Sequence, residues 1–205
     1  MSDRKRTYRM KQRAESQEAT RLRITESAVA LHQTLGPAQT TMAAVAEHAG
    51  VQRSTLYRHF RDEAALFEAC STHWYAQHPR PDVTDWREIA DPDERLRAGL
   101  TALYAWYRDA GDMLELLLRD EKLVPSVEQR FGRFHVMLAA AADILIAGRG
   151  LRGRSGARVR AAIDLALRFE TWRTLCREGD LDDAEAVELA VSLVAVAKSG
   201  SDPKV

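Results

Sequence analysis

The sequence predicts an all-α protein in which a short helix-turn-helix precedes a larger helical region. Apolar residues recur at spacings of three and four along most of the 205 residues, while strand alternation and internal repeats are absent from the sequence. Charge is also unevenly placed: residues 1–61 hold 11 Lys/Arg and 5 Asp/Glu, whereas residues 62–205 hold 19 and 25. A basic first third on an acidic remainder is typical of a polyanion-binding module joined to another domain.

Composition limits the broad class of protein. Hydrophobic residues make up 45% and charged residues 29% of the chain, which is ordinary for a soluble globular protein. There is no apolar run of membrane-spanning length and no apolar core of a secretory signal. Two cysteines, Cys70 and Cys176, are too few for a disulfide framework. We therefore expect a cytoplasmic protein in which these thiols are inert or, less simply, form a redox switch.

The N-terminal stretch "MSDRKRTYRMKQR" contains six basic residues between Arg4 and Arg13. It has no helical apolar period, so residues 1–15 are predicted to form a basic flexible arm. Two interpretations stay open at this point. The arm is either a solvated tail or a segment that rests on nucleic-acid phosphates or enters a minor groove.

The first helix is predicted from about Ser16 to Leu35. One apolar stripe runs along it, formed by Ile24, Ala28, Leu31 and Leu35. Gly36-Pro37 ends the helix.

The second helix lies in "TMAAVAEHAG" and has Thr40 or Thr41 as its cap. Gly50 suits the left-handed conformation at a helix end, and a third helix begins at Ser54-Thr55. This order predicts a helix-turn-helix. Leu56 and Phe60 lie four residues apart and anchor the third helix, which leaves its other face for a polar, anionic partner.

The rest of the chain is also predicted to be helical. Asp62 caps a helix over 62–78, and a loop follows over 79–93. The later helices are predicted from Pro92 through Tyr107, over 112–121, over 125–148, over 157–178 and over 183–198. The segment 148–158 is predicted as a loop, and the last two helices have apolar residues on more than one face, which requires burial on more than one side.

Residues 20–67 resemble the N-terminal domain of TetR-family transcriptional regulators. The matching text is "RITESAVALHQTLG", "TTMAAVAEHAGVQRSTLYRHF" and "ALF" at 65–67. The resemblance implies about nine helices, with a DNA-binding domain over 16–61 and a ligand-binding and dimerisation domain over 62–205. Within the latter, 62–78 is the connecting helix and the last two helices pair with those of a second subunit as a four-helix bundle.

The resemblance also implies which residues contact double-stranded DNA. The candidates lie at the start of the second helix and along the third: Thr41, Gln52, Arg53, Ser54, Thr55, Tyr57, Arg58 and His59. Arg53 is expected to read a base, since arginine bonds guanine O6 and N7 together, although a phosphate contact is the alternative. Thr41 acts as a cap, a phosphate ligand or both, and His59 binds phosphate or braces the turn.

Three positions depart from the pattern of the family. Ala43 stands where many relatives have a long polar side chain, so base reading by the second helix is expected to be weak. Glu63 stands where many relatives have a phosphate-binding lysine, and the basic arm with Arg61 is expected to offset that loss. His32 occupies a site that is often aromatic and is interpreted as a packing residue.

The candidate ligand-binding residues are mostly aromatic and lie between the connecting helix and the last helices. They are Trp74, Tyr104, Tyr107, Met113, Phe131, Phe134, His135, Phe169 and Trp172. Each is equally compatible with a plain core position. If they line a pocket, it takes a small apolar or aromatic effector, and His135 or Arg173 orients a polar group.

These observations predict a sequence-specific regulator, most simply a ligand-responsive repressor that binds a palindromic operator as a homodimer. No enzyme is expected, because the sequence lacks a phosphate-binding glycine loop and the GxSxG, HExxH and CxxC motifs. No cofactor or metal site is predicted. The alternative function is an architectural or protein-controlled DNA-binding protein without a small-molecule effector, which would have a filled core in its C-terminal domain.

Overall fold

A computed structural model describes residues 2–199 of the chain, with side chains described for 6–198. The described residues are helical and contain no strand. The helices are α1 (Ser2–Thr34), α2 (Met42–His48), α3 (Arg53–His59), α4 (Glu63–Gln77), α5 (Pro92–Asp120), α6 (Pro125–Ile146), α7 (Gly153–Ala166), α8 (Phe169–Trp172) and α9 (Asp183–Ser199). Short 3₁₀ turns occupy Pro37–Gln39 and Val83–Glu88, and a π-helical turn occupies Arg173–Glu178. The predicted all-α class is therefore confirmed.

The chain divides into two compact units. The first, called the head, comprises Met1–His78 and Asp112–Gln129, and the second, called the body, comprises Pro79–Gly111 and Arg130–Val205. Helices α5 and α6 each contribute residues to both units. Helix α4, the predicted connecting helix, packs on α1 within the head.

Helix α1 begins at Ser2, whereas the sequence predicts a start near Ser16. The prediction failed because it required an apolar stripe, and residues 6–19 are exposed on every side. The composition of residues 6–19 is enough to form a helix without an apolar stripe, since Arg, Lys, Gln, Met and Glu all have high helix propensity. Contacts at i,i+4 add support: the Gln12 amide donates to the Tyr8 hydroxyl at 3.1 Å, and Lys11 pairs with Glu15 at 3.9 Å.

The remaining head elements follow the sequence closely. Gly36 has φ 84° directly after α1, as expected for a glycine that ends a helix. The Thr41 side chain accepts from the Ala44 N–H and caps α2, and the Asp62 side chain accepts from the Ala65 N–H and caps α4. Leu35 was predicted in the buried stripe of α1 but is 40% exposed, because the helix ends before it.

Helix α5 is continuous where the sequence predicts two helices meeting near residue 111. Gly111 lies inside it rather than at a break. A Cβ placed on Gly111 would lie 3.3 Å from the Trp172 ring and 2.6 Å from the Arg177 guanidinium. The glycine therefore permits a close approach, and the cost of about 1 kcal/mol relative to alanine in a helix is accepted at this position.

The predicted helix over 157–178 is interrupted after Ala166. The hydroxyl of Tyr104 donates to the Ala166 carbonyl at 2.9 Å, and that of Tyr107 donates to the Leu167 carbonyl at 2.6 Å. These carbonyls at the end of α7 are thus satisfied by buried side chains, and the chain restarts as α8 at Phe169. Periodicity alone does not reveal such an interruption.

Three smaller differences concern loops. The predicted loop over 79–93 contains the 3₁₀ turn Val83–Glu88, and the predicted loop over 148–158 ends where α7 begins at Gly153. Helix α3 begins at Arg53, one residue before the predicted start. Helix α9 begins as predicted, with Asp182 and Glu185 forming a reciprocal capping box.

Candidate nucleic-acid interface

The turn between α2 and α3 is held by backbone hydrogen bonds. Gly50 has φ 63°, and its N–H donates to the Glu47 carbonyl at 3.0 Å. The Val51 N–H donates to the Ala46 carbonyl at 2.9 Å. Leu56 and Phe60 are fully buried on the inner face of α3. The orientation of α3 is therefore set by a tight turn and two anchors, as in a helix-turn-helix.

The outer face of α3 is polar and open to solvent. Its exposed side chains are Gln52, Arg53, Ser54, Tyr57 and Arg58, while Thr55 and His59 are half-buried. Tyr57 is 45% exposed, a large fraction for an aromatic side chain in a well-packed domain. The Arg58 guanidinium lies 3.5 Å from the Thr55 hydroxyl. Six of these seven candidates thus lie in α3, Gln52 is its N-cap residue, and none of the seven is buried.

Thr41 lies at the start of α2 and is exposed. Its hydroxyl oxygen accepts from the Ala44 N–H at 3.1 Å, so the hydroxyl proton stays available to a phosphate oxygen. The two roles considered for Thr41, cap and phosphate ligand, are thus geometrically compatible. Ala43 is exposed on the same turn and has no polar atom in its side chain.

Two arginines of α1 stabilise the helix-turn-helix, and neither role was predicted from the sequence. Arg21 donates from Nη1 to the His59 carbonyl at 2.8 Å and stacks its guanidinium 4.3 Å above the Phe60 ring. Arg23 donates from Nε to the Ala49 carbonyl at 3.0 Å. Each arginine satisfies a carbonyl at the C-terminal end of α2 or α3, where cations are favoured. Their place beside the apolar stripe of α1 was the available signal, but they were counted only as charge.

His59 lies half-buried beside two cations. Burial lowers its pKa, and the positive charges of Arg58 and Arg21 lower it further, while Glu18 acts in the opposite sense. His59 is therefore mainly neutral at pH 7. In this state the ring donates one hydrogen bond without adding positive charge to the surface.

The start of α4 carries negative charge. Asp62 caps α4 and also pairs with Arg61 at 3.0 Å, and Glu63 is exposed in the first turn. These carboxylates suit the positive end of the helix dipole. Arg61 is strongly exposed, so its pairing with Asp62 is weak and leaves it able to exchange that partner for a phosphate.

The C-terminal end of α5 holds the loop between α1 and α2. The Asp120 side chain is buried and accepts from the Ala38 N–H at 2.9 Å and from Arg119 Nε at 2.8 Å. Arg119 also donates to the Leu35 carbonyl at 2.7 Å. Burial raises the pKa of Asp120, but the hydrogen bonds from Arg119 and Ala38 outweigh burial, so the net pKa is lowered. The carboxylate is thus ionised and fixes the loop that leads to Thr41.

The nine ligand candidates divide between the two units, with seven in the body and two in the head. In the body, Tyr107 lies 5.4 Å from Phe169 and 6.0 Å from Trp172 between ring centroids, and 6.2 Å from Tyr104. Phe131 and Phe134 pack edge to face at 5.7 Å, and their neighbour His135 is exposed. Trp74 and Met113 are buried in the head.

Trp74 differs from the other candidates in one respect. Its ring stacks on His78 with centroids 4.3 Å apart, and the ring is 3% exposed. The indole N–H is buried and has no hydrogen-bond partner among the described residues. A buried donor without a partner is energetically costly, so its position is suited to an added acceptor.

The surroundings of the candidate metal-ligating and thiol side chains are as follows. The part of the chain that the structure describes contains no group of three His, Cys, Asp or Glu side chains arranged to hold a metal ion. Both cysteines are free, and Cys70 is buried. Burial and the nearby Asp183 carboxylate raise the pKa of Cys176 to about 11, so its thiol stays protonated. These environments fit inert thiols better than a redox switch.

Comparison with known proteins agrees with this geometry. Residues 24–70 match the sequence profile of the bacterial regulatory proteins of the tetR family. Residues 24–70 form a TetR-family domain. This match spans the C-terminal part of α1, all of α2 and α3, and the first half of α4. It confirms the resemblance drawn from the sequence. The comparison with curated proteins found no match.

Solved structures of TetR regulators share the fold over most of the chain. A TetR-like transcriptional regulator from Rhodococcus sp. RHA1 is 16% identical, with a TM-score of 0.64 over 89% of this chain and 97% of its own. NalD of Pseudomonas aeruginosa, the secondary repressor of the MexAB-OprM multidrug efflux pump, is 22% identical, with a TM-score of 0.58 over 89% and 97%. FadR of Bacillus subtilis, solved with stearoyl-CoA, is 18% identical, with a TM-score of 0.51 over 88% and 99%. At these identities the likeness establishes the fold.

No described helix is long and apolar enough to cross a membrane.

Proposed function

We propose that the protein is a cytoplasmic transcriptional repressor that binds a palindromic operator as a homodimer and leaves it when a small apolar or aromatic effector binds. The observation that carries the proposal is the exposed polar face of α3, held by buried Leu56 and Phe60 on a TetR-family helix-turn-helix. A helix of this kind enters the major groove and contacts base edges with its N-terminal residues.

The side chains of α3 fall into two groups, those that contact bases and those that contact phosphates. Arg53 is the first residue of the helix and is exposed, so it reads a base through two parallel hydrogen bonds. Tyr57 lies one turn later and donates its hydroxyl to a phosphate. Arg58 and the neutral ring of His59 add backbone contacts, and the Thr41 hydroxyl with the first turn of α2 binds a further phosphate.

Dimerisation is supported by uncovered apolar side chains on the last helices. Leu189, Leu193 and Val196 recur at spacings of four and three along α9 and are 49%, 43% and 70% exposed. Leu165 on α7, which packs against α9, is 48% exposed. An apolar stripe of this length favours a partner helix, and a second copy of α7 and α9 would complete a four-helix bundle. Two-fold symmetry then requires a palindromic site.

The effector is proposed to bind near Trp74, whose indole N–H would donate to an oxygen of the ligand. FadR bound to stearoyl-CoA is an example of a fold relative with an acyl ligand, and NalD is an example of a repressor. Helix α4 carries Trp74 and is capped by Asp62 directly after α3. An effector that prefers one position of α4 shifts the population between DNA-binding and released forms, and DNA weakens the effector by the same factor.

The alternative, a DNA-binding protein without a small effector, is favoured by one observation. Tyr104, Tyr107, Phe169 and Trp172 are fully buried against one another, and both tyrosine hydroxyls are bonded to backbone carbonyls. These four candidates are core residues and leave little reason to expect a ligand among them. Release of DNA by a small molecule distinguishes the two functions.

The DNA-reading role is tested with Arg53→Ala and Tyr57→Phe on an operator duplex and on a scrambled duplex. Arg53→Ala should weaken operator binding by ~1–3 kcal/mol and relax the preference at one base pair. Tyr57→Phe should weaken both duplexes equally. The matched control is Arg133→Ala, because Arg133 is exposed and lies outside α2 and α3. This variant should bind both duplexes as wild type does. Equal losses on both duplexes for Arg53→Ala would refute base reading.

A further inference from the structure

The N-terminal part of α1 carries its arginines on one face. Arg6, Arg9 and Arg13 are spaced by three and four residues, which places them on a single stripe of an α-helix. All three side chains are exposed. The same spacing continues through Ser16, Thr20 and Ile24, so the stripe that begins with arginines ends in the buried core of the head.

This stripe lies in the head, between two α1 side chains that contact α2 and α3. Arg21 and Arg23 project on either side of it, since successive residues of a helix differ by about 100°. Arg21 reaches the His59 carbonyl of α3, and Arg23 reaches the Ala49 carbonyl of α2. Helix α1 packs mainly on α4 and α2, and the arginine stripe continues the line of its buried residue Ile24 outward along the same helix.

The opposite face of the same segment has a different charge pattern. Lys11 pairs with Glu15 at 3.9 Å on that face, whereas Glu18 lies near His59 of α3. The three stripe arginines form no ion pair with any described carboxylate. The stripe therefore presents three uncompensated positive charges, whereas the charges of Lys11 and Glu15 offset each other.

We propose that Arg6, Arg9 and Arg13 bind consecutive phosphates of one DNA strand beside the half-site that α3 occupies. This inference rests on the proposed DNA-binding function and extends it beyond the helix-turn-helix. The distance supports it: from Arg6 to Arg13 the helix rises about 10 Å, and phosphates of one strand recur about every 3.4 Å along the duplex axis. The rise thus spans about three phosphate intervals, so that each of the three arginines has a separate phosphate within reach.

DNA fits this stripe better than a membrane surface does. A helix that lies on a membrane needs a wide apolar face opposite its basic one. The exposed apolar side chains of the segment, Tyr8 and Met10, flank the stripe on different sides, and the face opposite it carries Lys11 and Glu15. The stripe also adjoins a DNA-binding motif, so one polyanion can span both surfaces.

The test is the salt dependence of binding to a random-sequence duplex of about four helical turns, or ~40 base pairs. Each phosphate contact contributes about 0.9 to the slope of log K against log salt concentration. The triple variant Arg6→Gln, Arg9→Gln and Arg13→Gln should lower the slope by up to ~3 per subunit. Glutamine keeps helix propensity close to that of arginine, so the helix itself is preserved.

The matched control places an equal charge change on the other faces of the segment, through Thr7→Glu, Lys11→Gln and Ala14→Glu. We expect it to lower the slope much less than the stripe variant does. Equal effects of the two variants would show a general charge effect and overturn the inference, as would an unchanged slope in the stripe variant.

A slope unchanged in the stripe variant, together with loss of its binding to phosphatidylserine vesicles, would overturn the inference in favour of a membrane surface. Failure of the wild-type protein to bind any duplex would instead refute the proposed function itself. The outcomes therefore separate the arginine stripe from the function on which it rests.

Discussion

Buried His32 makes the head sensitive to acid. Its ring is 7% exposed, lies 5.8 Å from the Phe67 ring, and has Nδ1 3.4 Å from the Cys70 sulfur. Burial lowers the pKa of His32 from 6.5 to about 4, although the Asp120 carboxylate acts in the opposite sense. The neutral form is thus the form that the folded head accepts, which agrees with the prediction of a packing residue.

The sign and size of the effect follow from linkage. Between pH 6.5 and about 4, the unfolded chain binds a proton at His32 that the folded head does not. The free energy of unfolding is therefore complete above pH 6.5 and falls as the pH is lowered through this window. The loss is about 1.4 kcal/mol at pH 5.5 and approaches ~3 kcal/mol at pH 4. For a chain of this length, the loss at pH 5.5 lowers Tm by about 3–6 °C.

The assay is thermal unfolding at pH 8 and pH 5.5, followed by circular dichroism at one protein concentration. Wild type is compared with His32→Gln, which removes the titrating ring, and with His48→Gln, which removes an exposed histidine of α2. The Tm difference between the two pH values should shrink in His32→Gln and persist in His48→Gln. His59 has a lowered pKa too and acts in the same direction, so some dependence should remain.

The reasoning is refuted if His32→Gln keeps the full pH dependence of wild type. It is also refuted if wild type shows no loss of Tm between pH 8 and pH 5.5. A uniformly lower Tm in His32→Gln would not affect the comparison, because the measured quantity is the difference between two pH values for each protein.

Three further experiments, with five variants in all, test other parts of the structure. Gly36→Ala and Gly50→Ala both place a side chain at positive φ, but only the Cβ at Gly36 meets other atoms, namely the carboxylate and guanidinium at the end of α5. Gly36→Ala should therefore lose ~1–3 kcal/mol, and more than Gly50→Ala, in denaturant unfolding; equal losses would contradict the contact. Asp62→Ala should cost ~0.5–2 kcal/mol through loss of the α4 cap, whereas Asp62→Asn should be nearly neutral. Tyr107→Phe should cost ~1–3 kcal/mol because the buried Leu167 carbonyl loses its donor, and an unchanged midpoint would show that the bond contributes nothing.

Elements with local signals were predictable from the sequence. The caps at Thr41, Asp62 and Asp182 need only the residues within three positions of them. The turn at Gly50 and the anchors Leu56 and Phe60 are also local, so the α2–α3 motif and its exposed residues followed directly.

Elements decided by distant contacts were not predictable in this way. The glycine at position 111 lies inside α5 because Trp172 and Arg177 approach it closely, and the sequence does not show that contact. The end of α7 depends on hydrogen bonds from Tyr104 and Tyr107, about sixty residues earlier in the chain. The bracing role of Arg21 has the same character, since its partner lies 38 positions away. The spacing of apolar residues along the chain does not indicate which distant residues come into contact.

The ligand candidates show the limit of composition as a guide. From the sequence, an aromatic side chain at helical spacing is equally compatible with the hydrophobic core and with the lining of a ligand pocket. In the body, hydroxyl bonds and ring packing identify Tyr104 and Tyr107 as core. Trp74 was distinguished only by a buried N–H without a partner, which is a property of three-dimensional surroundings.

The central claim is that a dimer of this protein reads DNA sequence through the outer face of α3. It is tested most directly by selecting bound duplexes from a random pool and sequencing them, with wild type and Arg53→Ala in parallel. We expect wild type to enrich a palindromic motif and Arg53→Ala to lose the preference at one position in each half-site. Enrichment without any motif, or an identical motif from both proteins, would contradict the claim.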